Sequence, residues 1–471
     1  MTRIDADVCV IGGGPAGSAL AIRLAQLGHS TVVVERAAFP RHHVGESLVG
    51  AVLPVLDVLG VRAQIEHAGF LRPSRTILRW AQPAYWRDGS GEPGFQVDRS
   101  TFDAILLNGA SALGVQVLQP AWATAAAWHD DTWQIAVYTA GSDATVRCRM
   151  LADAAGRAGW IRGPKRLTSA KTVALYAYWS GVPLKGPETR VEAGDRQWYW
   201  GAPLPADLFN AAVFLDPSEY REGSRAFDSR ALFYEHLLAR SELLSGCLQG
   251  RRASAVHASD ATARRDEVPA TPHSIKVGEA AFSIDPLSSQ GVQTALGSAL
   301  HAAAAVHTIL ERPTDGALAV EFYRQRQVEA AAYHARAAAE VYHEMADVDP
   351  SRFWTERSAG RQESPNAVPR PPAGPLTHNT IVQLADGVRL EAQPVLRGDF
   401  VVQGRSVAVP EADRSVAFLG DVELAPLLEL ARAPVTADSL VESWARSIAP
   451  RRALAILEWV WNQGLLCTNS S

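Results

Sequence analysis

Apolar residues in this chain come in short blocks whose period switches between strand-like and helix-like. Val8–Ile11 is an unbroken apolar run, the pattern of a strand buried on both faces. Gly12, Gly14 and Gly17 follow it. Then come a helix of small residues and a second apolar strand, Thr31–Val34, ending at Glu35. Helical patterns recur near Leu48–Leu59 and Ser100–Leu113, and strand patterns at Val115–Leu118, Thr132–Tyr138 and Thr145–Ala152. This alternation predicts a doubly wound α/β domain over residues 1–170. Residues 171–270 have more strand character, with runs at Val173–Trp179, Gln197–Gly201 and Phe209–Leu215. Their wealth of Trp and Tyr suits a mainly antiparallel sheet covering a pocket. Ser274–Val277, a helix Gly291–Leu310 and a long helix Leu318–Met345 then return the chain to the first domain, which 271–357 complete.

Prolines crowd residues 358–378 and predict an extended linker. Residues 379–471 have their own periodicity. Strands are expected at Thr380–Leu384, Phe400–Val402 and Val407–Val409, and helices at Glu423–Ala431, Ala437–Ser447 and Arg451–Gln463. That order reads as a small winged-helix-like α+β module.

Composition narrows the function classes. The 471 residues are too many for one simple core, and 47% hydrophobic with 20% charged residues is a globular balance. A net charge of −5 weighs against nucleic acid as a partner. No stretch of about 20 apolar residues is free of charge, so no membrane-spanning helix is expected. No secretory signal pattern opens the chain. Cys9, Cys148, Cys247 and Cys467 lie far apart without a Cys-x-x-Cys pair. They suggest reduced thiols, a cytoplasmic setting and no metal site.

The segment DVCVIGGGPAGSALAIRLAQLGHSTVVVER carries the clearest chemistry. Gly12 permits a tight turn after the strand, and Gly14 lets main-chain N–H groups approach a pyrophosphate. Gly17, helped by Ala16, lets the helix opened by Pro15 pack close to the sheet. The helix start offers free N–H donors and a positive dipole end to phosphates. Glu35, beside Arg36, can accept hydrogen bonds from a ribose diol. The strand before the glycines, the helix after them and the acid at this distance together indicate dinucleotide binding.

Two further stretches, RHHVGESL (41–48) and GEAAFSIDPLSSQGVQTAL (278–296), follow in order. With the first motif they resemble the FAD-dependent family of halogenases, geranylgeranyl reductases and aromatic monooxygenases, over about residues 5–340. The resemblance implies a Rossmann-like FAD domain of three-layer ββα type. It places Glu279, after Gly278, by the ribityl–phosphate region. It places Gln290, Gly291 and Val292, after Asp285 and Pro286, by the flavin ring. Arg41 and Arg99 resemble arginines that flank the cofactor; Arg99 could equally be an ordinary surface arginine. Ser47 belongs to the same cofactor segment. Asp153, in LADAAGRAG, matches a cofactor-proximal turn, for which a turn without ligand contact is the other reading. His42, His43 and Glu46 are candidates for acid–base work, although such histidines more often bond a loop. Trp198 and Trp200 resemble the WxWxxP signature of tryptophan halogenases. Core packing is favoured for them over substrate contact.

Halogenases of this family carry a lysine soon after the GES segment. No lysine precedes Lys165 here, and Phe70–Arg75 offers only arginine. Ser288 stands where tryptophan halogenases have a glutamate. The resemblance therefore implies a monooxygenase, in which reduced FAD and O2 give a C4a-hydroperoxide and NADH, NADPH or a partner reductase supplies electrons. The C-terminal segment is similar to winged-helix domains that recognise precursor peptides; DNA binding and simple packing are its other uses. A halogenase-like core with such a tail most resembles the monooxygenases that hydroxylate a protein tryptophan in tryptophylquinone cofactor biogenesis. Rival expectations are an enzyme acting on a free aromatic, a prenyl-chain reductase, and a flavin-binding redox sensor with a winged helix.

Overall fold

A computed structural model describes residues 2–41, 43–89, 91–139, 141, 143–360, 375–408 and 415–468. The chain divides into two compact units. Met1–Glu311 with Tyr323–Arg361 form one, and Arg312–Phe322 with Gln362–Ser471 form the other. His42, Val409 and residues 361–374, the greater part of the expected linker, lie outside the described residues.

Two large sheets dominate the first unit. In the first sheet the strand Thr2–Ile11 lies between Thr31–Val34 and Asp143–Asp153, parallel to both. Gln116–Leu118 extends it beyond Thr31–Val34, and Ser274–Lys276 pairs in parallel with Asp143–Asp153. Thr132–Thr139 and Ala121–His129 continue it as an antiparallel meander. Val8, Cys9 and Val10 are fully buried, as an apolar run between two parallel neighbours requires. The register sets Ile11 beside both Val34 and Asp153. Three strand ends therefore open together where the glycine turn begins, the place at which doubly wound sheets bind ligands. The helix Pro15–Gln26 packs between Arg99–Ala112 and Gly291–Glu311.

The second sheet has Val173–Ser180, Leu208–Leu215, Gln197–Leu204 and Thr189–Ala193 at its centre. It also takes Arg75–Arg79 and Tyr85–Asp88 from earlier in the chain, through a parallel pairing with Thr189–Ala193. Both faces are covered, so its strands alternate between two apolar environments. Leu175, Ala177, Trp179, Phe209 and Val213 pack against the helix Arg230–Leu238. Tyr176, Trp198, Trp200, Ala212 and Phe214 point the other way. Behind part of that second face stand Tyr342 and Met345 of the long helix Gly316–Val348, and Trp354 of the helix Arg352–Ser358.

The second unit has its own core, including Val382, Leu424, Leu428, Trp444, Ile456, Val460 and Leu466. Its helices are Leu424–Glu429, Ala437–Trp444 and Pro450–Asn462. Ile381–Leu384 pairs with Val435–Thr436 and Leu466–Thr468. The strands expected at Phe400–Val402 and Val407–Val409 are one strand, Phe400–Ala408, in a hairpin with Arg389–Arg397. Gly404 does not break it, because Val395 of the partner strand packs over the space its missing side chain leaves. No helix among the described residues is long and apolar enough to cross a membrane.

Candidate cofactor and substrate site

A cavity of about 980 Å³ runs from the glycine turn to the second sheet. Its floor is Gly12, Gly14, Pro15 and Ala16. Gly12 has φ +106°, and a Cβ there would lie 2.4 Å from the carbonyl oxygen of Ala154, so only glycine makes this turn without strain. Gly17 lies beneath the floor. At the end of Thr31–Val34, Glu35 and Arg36 line the cavity. The Glu35 carboxylate accepts the N–H of Gly13 at 2.7 Å and of Ala37 at 2.8 Å.

Arg41, His43, Glu46, Ser47 and Arg99 line the next stretch. Arg99 is buried, and is therefore not a surface arginine. It forms a two-pronged ion pair with Asp103 at 2.8 and 3.1 Å, and its Nη1 donates to the carbonyl of Val44 at 2.5 Å. Arg41 lies 3.6 Å from Asp103, yet its buried Nε has no hydrogen-bond partner among the described residues. The His43 Nδ1 is 2.8 Å from the carbonyl of Val44. Desolvation, then the Arg99 charge, lowers its pKa. Glu46 is held above the ordinary carboxyl range, first by burial, against opposing hydrogen bonds from Tyr178 and the main chain.

Glu279, Pro286, Gly291 and Val292 close the cavity from the later motif. Glu279 pairs with Arg157 at 3.1 Å. Besides Gly17, four expected contact residues are not among the lining ones. Asp153 spends its carboxylate on the N–H groups of Ala155, Trp160 and Ile161 at 3.0, 2.6 and 2.7 Å, and so shapes the lining loop without facing a ligand. Asp285 accepts the N–H of Leu287 at 3.0 Å and the hydroxyl of Tyr342 at 3.1 and 3.2 Å. The Gly278 N–H is used by Ser298 Oγ at 2.8 Å, and the Gln290 carbonyl accepts the Thr294 N–H at 2.9 Å. His42 lies outside the described residues.

The far wall is the second sheet, through Ala174, Tyr176, Trp200, Asn210, Ala212 and Phe214. Trp200 lines the cavity. Trp198 packs in the core, fully buried and stacked on Phe214 with ring centroids 3.8 Å apart. Sequence reasoning placed the strands Val173–Trp179 and Phe209–Leu215 but missed Tyr176, Asn210 and Phe214 as lining residues, because nearly every position of both strands is apolar. No lysine is among the lining residues. Lys276 is buried in an ion pair with Asp266 at 2.6 Å, and Lys165 donates to the Arg157 carbonyl at 2.9 Å.

The site fits FAD. A floor of two glycines with only small side chains beside them meets a helix start, a buried guanidinium nitrogen has no hydrogen-bond partner among the described residues, and an acid stands at the second strand end. No group of three metal-ligating side chains occurs among the described residues.

Comparison with known proteins agrees with this geometry. Residues 5–208 match the FAD binding domain family. A tryptophan 2-halogenase of Chondromyces crocatus is 30% identical over 76% of this chain and 71% of its own length. The flavin-dependent halogenase otaD of Aspergillus carbonarius is 29% identical over 64% of this chain and 68% of its own. The flavin-dependent halogenase CmlS superposes with a TM-score of 0.80 at 24% identity, covering 99% of this chain and 96% of that one. QhpG, a peptidyl tryptophan dihydroxylase essential for tryptophylquinone cofactor biogenesis, superposes with a TM-score of 0.72 at 25% identity, covering 98% and 100%. The chain belongs to the FAD-dependent halogenase and monooxygenase family and is an FAD-using oxidoreductase.

Proposed function

We propose that this enzyme hydroxylates a tryptophan side chain within a protein or peptide, using O2 and electrons from NADH, NADPH or a reductase. The observation that carries the reading is an aromatic-walled cavity without a lysine, in a chain matched along nearly its whole length by QhpG. An arginine such as Arg41 stays protonated and cannot substitute for a lysine amine as a halogen carrier. The C-terminal unit, for which we propose peptide recognition, lies within the matched length.

Bound FAD supplies the two-electron activation of dioxygen. The protein's part is placement and proton handling. The main-chain N–H groups at the start of the helix Pro15–Gln26 and the Arg41 guanidinium hold the phosphates, and Glu35 stands at the ribose. Trp200, Phe214 and Tyr176 form one aromatic wall against which an indole packs, and they keep water from that side of it. Glu46, once ionised, takes up the proton that the ring carbon loses when oxygen is added, and His43 is a second acceptor at the rim.

A tryptophan-containing peptide incubated with enzyme, FAD, NADH and air should gain one or two oxygen atoms by mass. Halogenated peptide in the presence of chloride or bromide, without added oxygen, would overturn the proposal. The alternative is action on a free aromatic metabolite, which the similarity to tryptophan 2-halogenase favours. Deleting residues 379–471 separates the two. A peptide enzyme loses affinity for its substrate, whereas a small-molecule enzyme keeps its turnover.

A further inference from the structure

Tyr178 and Asn210 stand directly opposite each other on the antiparallel strands Val173–Ser180 and Leu208–Leu215. Both reach the same atom. Glu46 Oε1 accepts the Tyr178 hydroxyl at 2.6 Å and Asn210 Nδ2 at 3.0 Å. Glu46 Oε2 accepts the main-chain N–H of Gly45 at 2.9 Å, and the Glu46 main-chain N–H also bonds the carboxyl. Glu46 is 2% exposed, lies in the cavity lining, and forms no ion pair among the described residues. The charged and titratable groups that face it are few. Arg99, from the helix Arg99–Ala112, is neutralised by Asp103 and also feels Glu279. Tyr176 faces it from the same strand as Tyr178.

An oxygen that already accepts two hydrogen bonds has filled its lone-pair sites. With Tyr178 and Asn210 both donating to Oε1, the proton of the neutral acid belongs on the other oxygen. We propose that Tyr178 and Asn210 are positioning residues, a cross-strand pair that confines the acidic proton of Glu46 to Oε2 and fixes the pH at which it leaves. This rests on reading Glu46 as the proton-holding group of the site. Sequence patterning could not reveal the pair, because neither residue belongs to a motif and each lies more than a hundred residues from Glu46.

The test needs no substrate. Infrared titration of the FAD-loaded enzyme, with the Glu46→Gln variant subtracted, isolates the Glu46 carboxyl stretch. Tyr178→Phe removes a donor to the ionised form, so the midpoint should rise by about one to two pH units. The stretch should also move in frequency, because Oε1 then accepts one hydrogen bond instead of two. Asn210→Ala should act in the same direction, and it reports alone if Tyr178→Phe does not fold. A residue with a merely structural role would lower stability and leave the midpoint in place. An unchanged midpoint in variants that fold and bind FAD would overturn the proposal. So would the absence of any titrating band that Glu46→Gln removes. Failure of the hydroxylation reading would appear separately, as a peptide without added oxygen.

Discussion

A Cβ placed on Gly17 would lie 1.9 Å from the carbonyl oxygen of Gly12. The obstacle is main chain, so it cannot swing aside as a flexible side chain would. Gly17→Ala should separate the helix from the turn at a cost of about 1–3 kcal/mol. The purified variant should lose its flavin absorbance. Chemical denaturation and the visible spectrum check both effects, and a fully yellow Gly17→Ala protein of unchanged stability contradicts the assignment of the turn.

Asp103 holds Arg99 from within the same helix, and both are buried. Removing one member of a buried pair strands the other charge, which costs about 3–5 kcal/mol. Asp103→Ala should show that loss in urea unfolding. It should also weaken FAD binding, because Arg99 ties down the Val44 carbonyl beside Glu46. A loss under about 1 kcal/mol, the range of exposed pairs, would contradict the buried pairing.

These two relationships differ in how far the sequence exposes them. The Gly12–Gly17 turn is local, and its glycines, the strand before and the acid after all lie within thirty residues of one another. The far wall is assembled from strands remote in sequence, so Asn210 and Phe214 carry no signature of their own. Asp153 sat in a recognisable turn, but its partners, the N–H groups of Trp160 and Ile161, follow from loop geometry that a motif does not encode. Thr189–Ala193 is not among the expected strands, and it carries Arg190 and Glu192. It is fully buried because Glu192 accepts Ser241 Oγ at 2.5 Å and the N–H groups of Glu242 and Leu243, both at 2.9 Å. Charge patterning therefore misjudges positions whose partners come from a distant loop.

Asp285 gives stability a definite pH dependence. Burial holds its carboxyl above the ordinary value, against the Leu287 N–H and the Tyr342 hydroxyl. The unfolded chain ionises near pH 3.9, so the fold binds this proton more tightly than the unfolded state does. The resulting stability is fully present below about pH 3.9 and is lost as pH rises through the folded value. Wild type should therefore lose stability relative to Asp285→Asn as pH increases from about 4 upward. Unfolding free energies of both proteins across that range decide the matter, and a constant difference would refute it.

Trp200 lines the cavity from the second sheet, whereas Trp198 stacks on Phe214 in the core. Trp200→Ala should raise KM for a tryptophan peptide by about tenfold, the worth of one aromatic contact and its buried area. Trp200→Phe should retain most of the affinity. Steady-state kinetics with product quantified by mass would show this. Equal KM values for all three proteins would remove Trp200 from the substrate wall.

In the proposed reaction this FAD site transfers oxygen from O2 to a tryptophan within a polypeptide. The most direct measurement is isotopic. The enzyme is incubated with FAD, NADH and a tryptophan peptide under 18O2, in ordinary water containing chloride and bromide. Peptide carrying the heavy isotope on its indole is the predicted result. Indole that gains halogen instead, or that stays unmodified while a free aromatic compound takes up the label, would contradict the account.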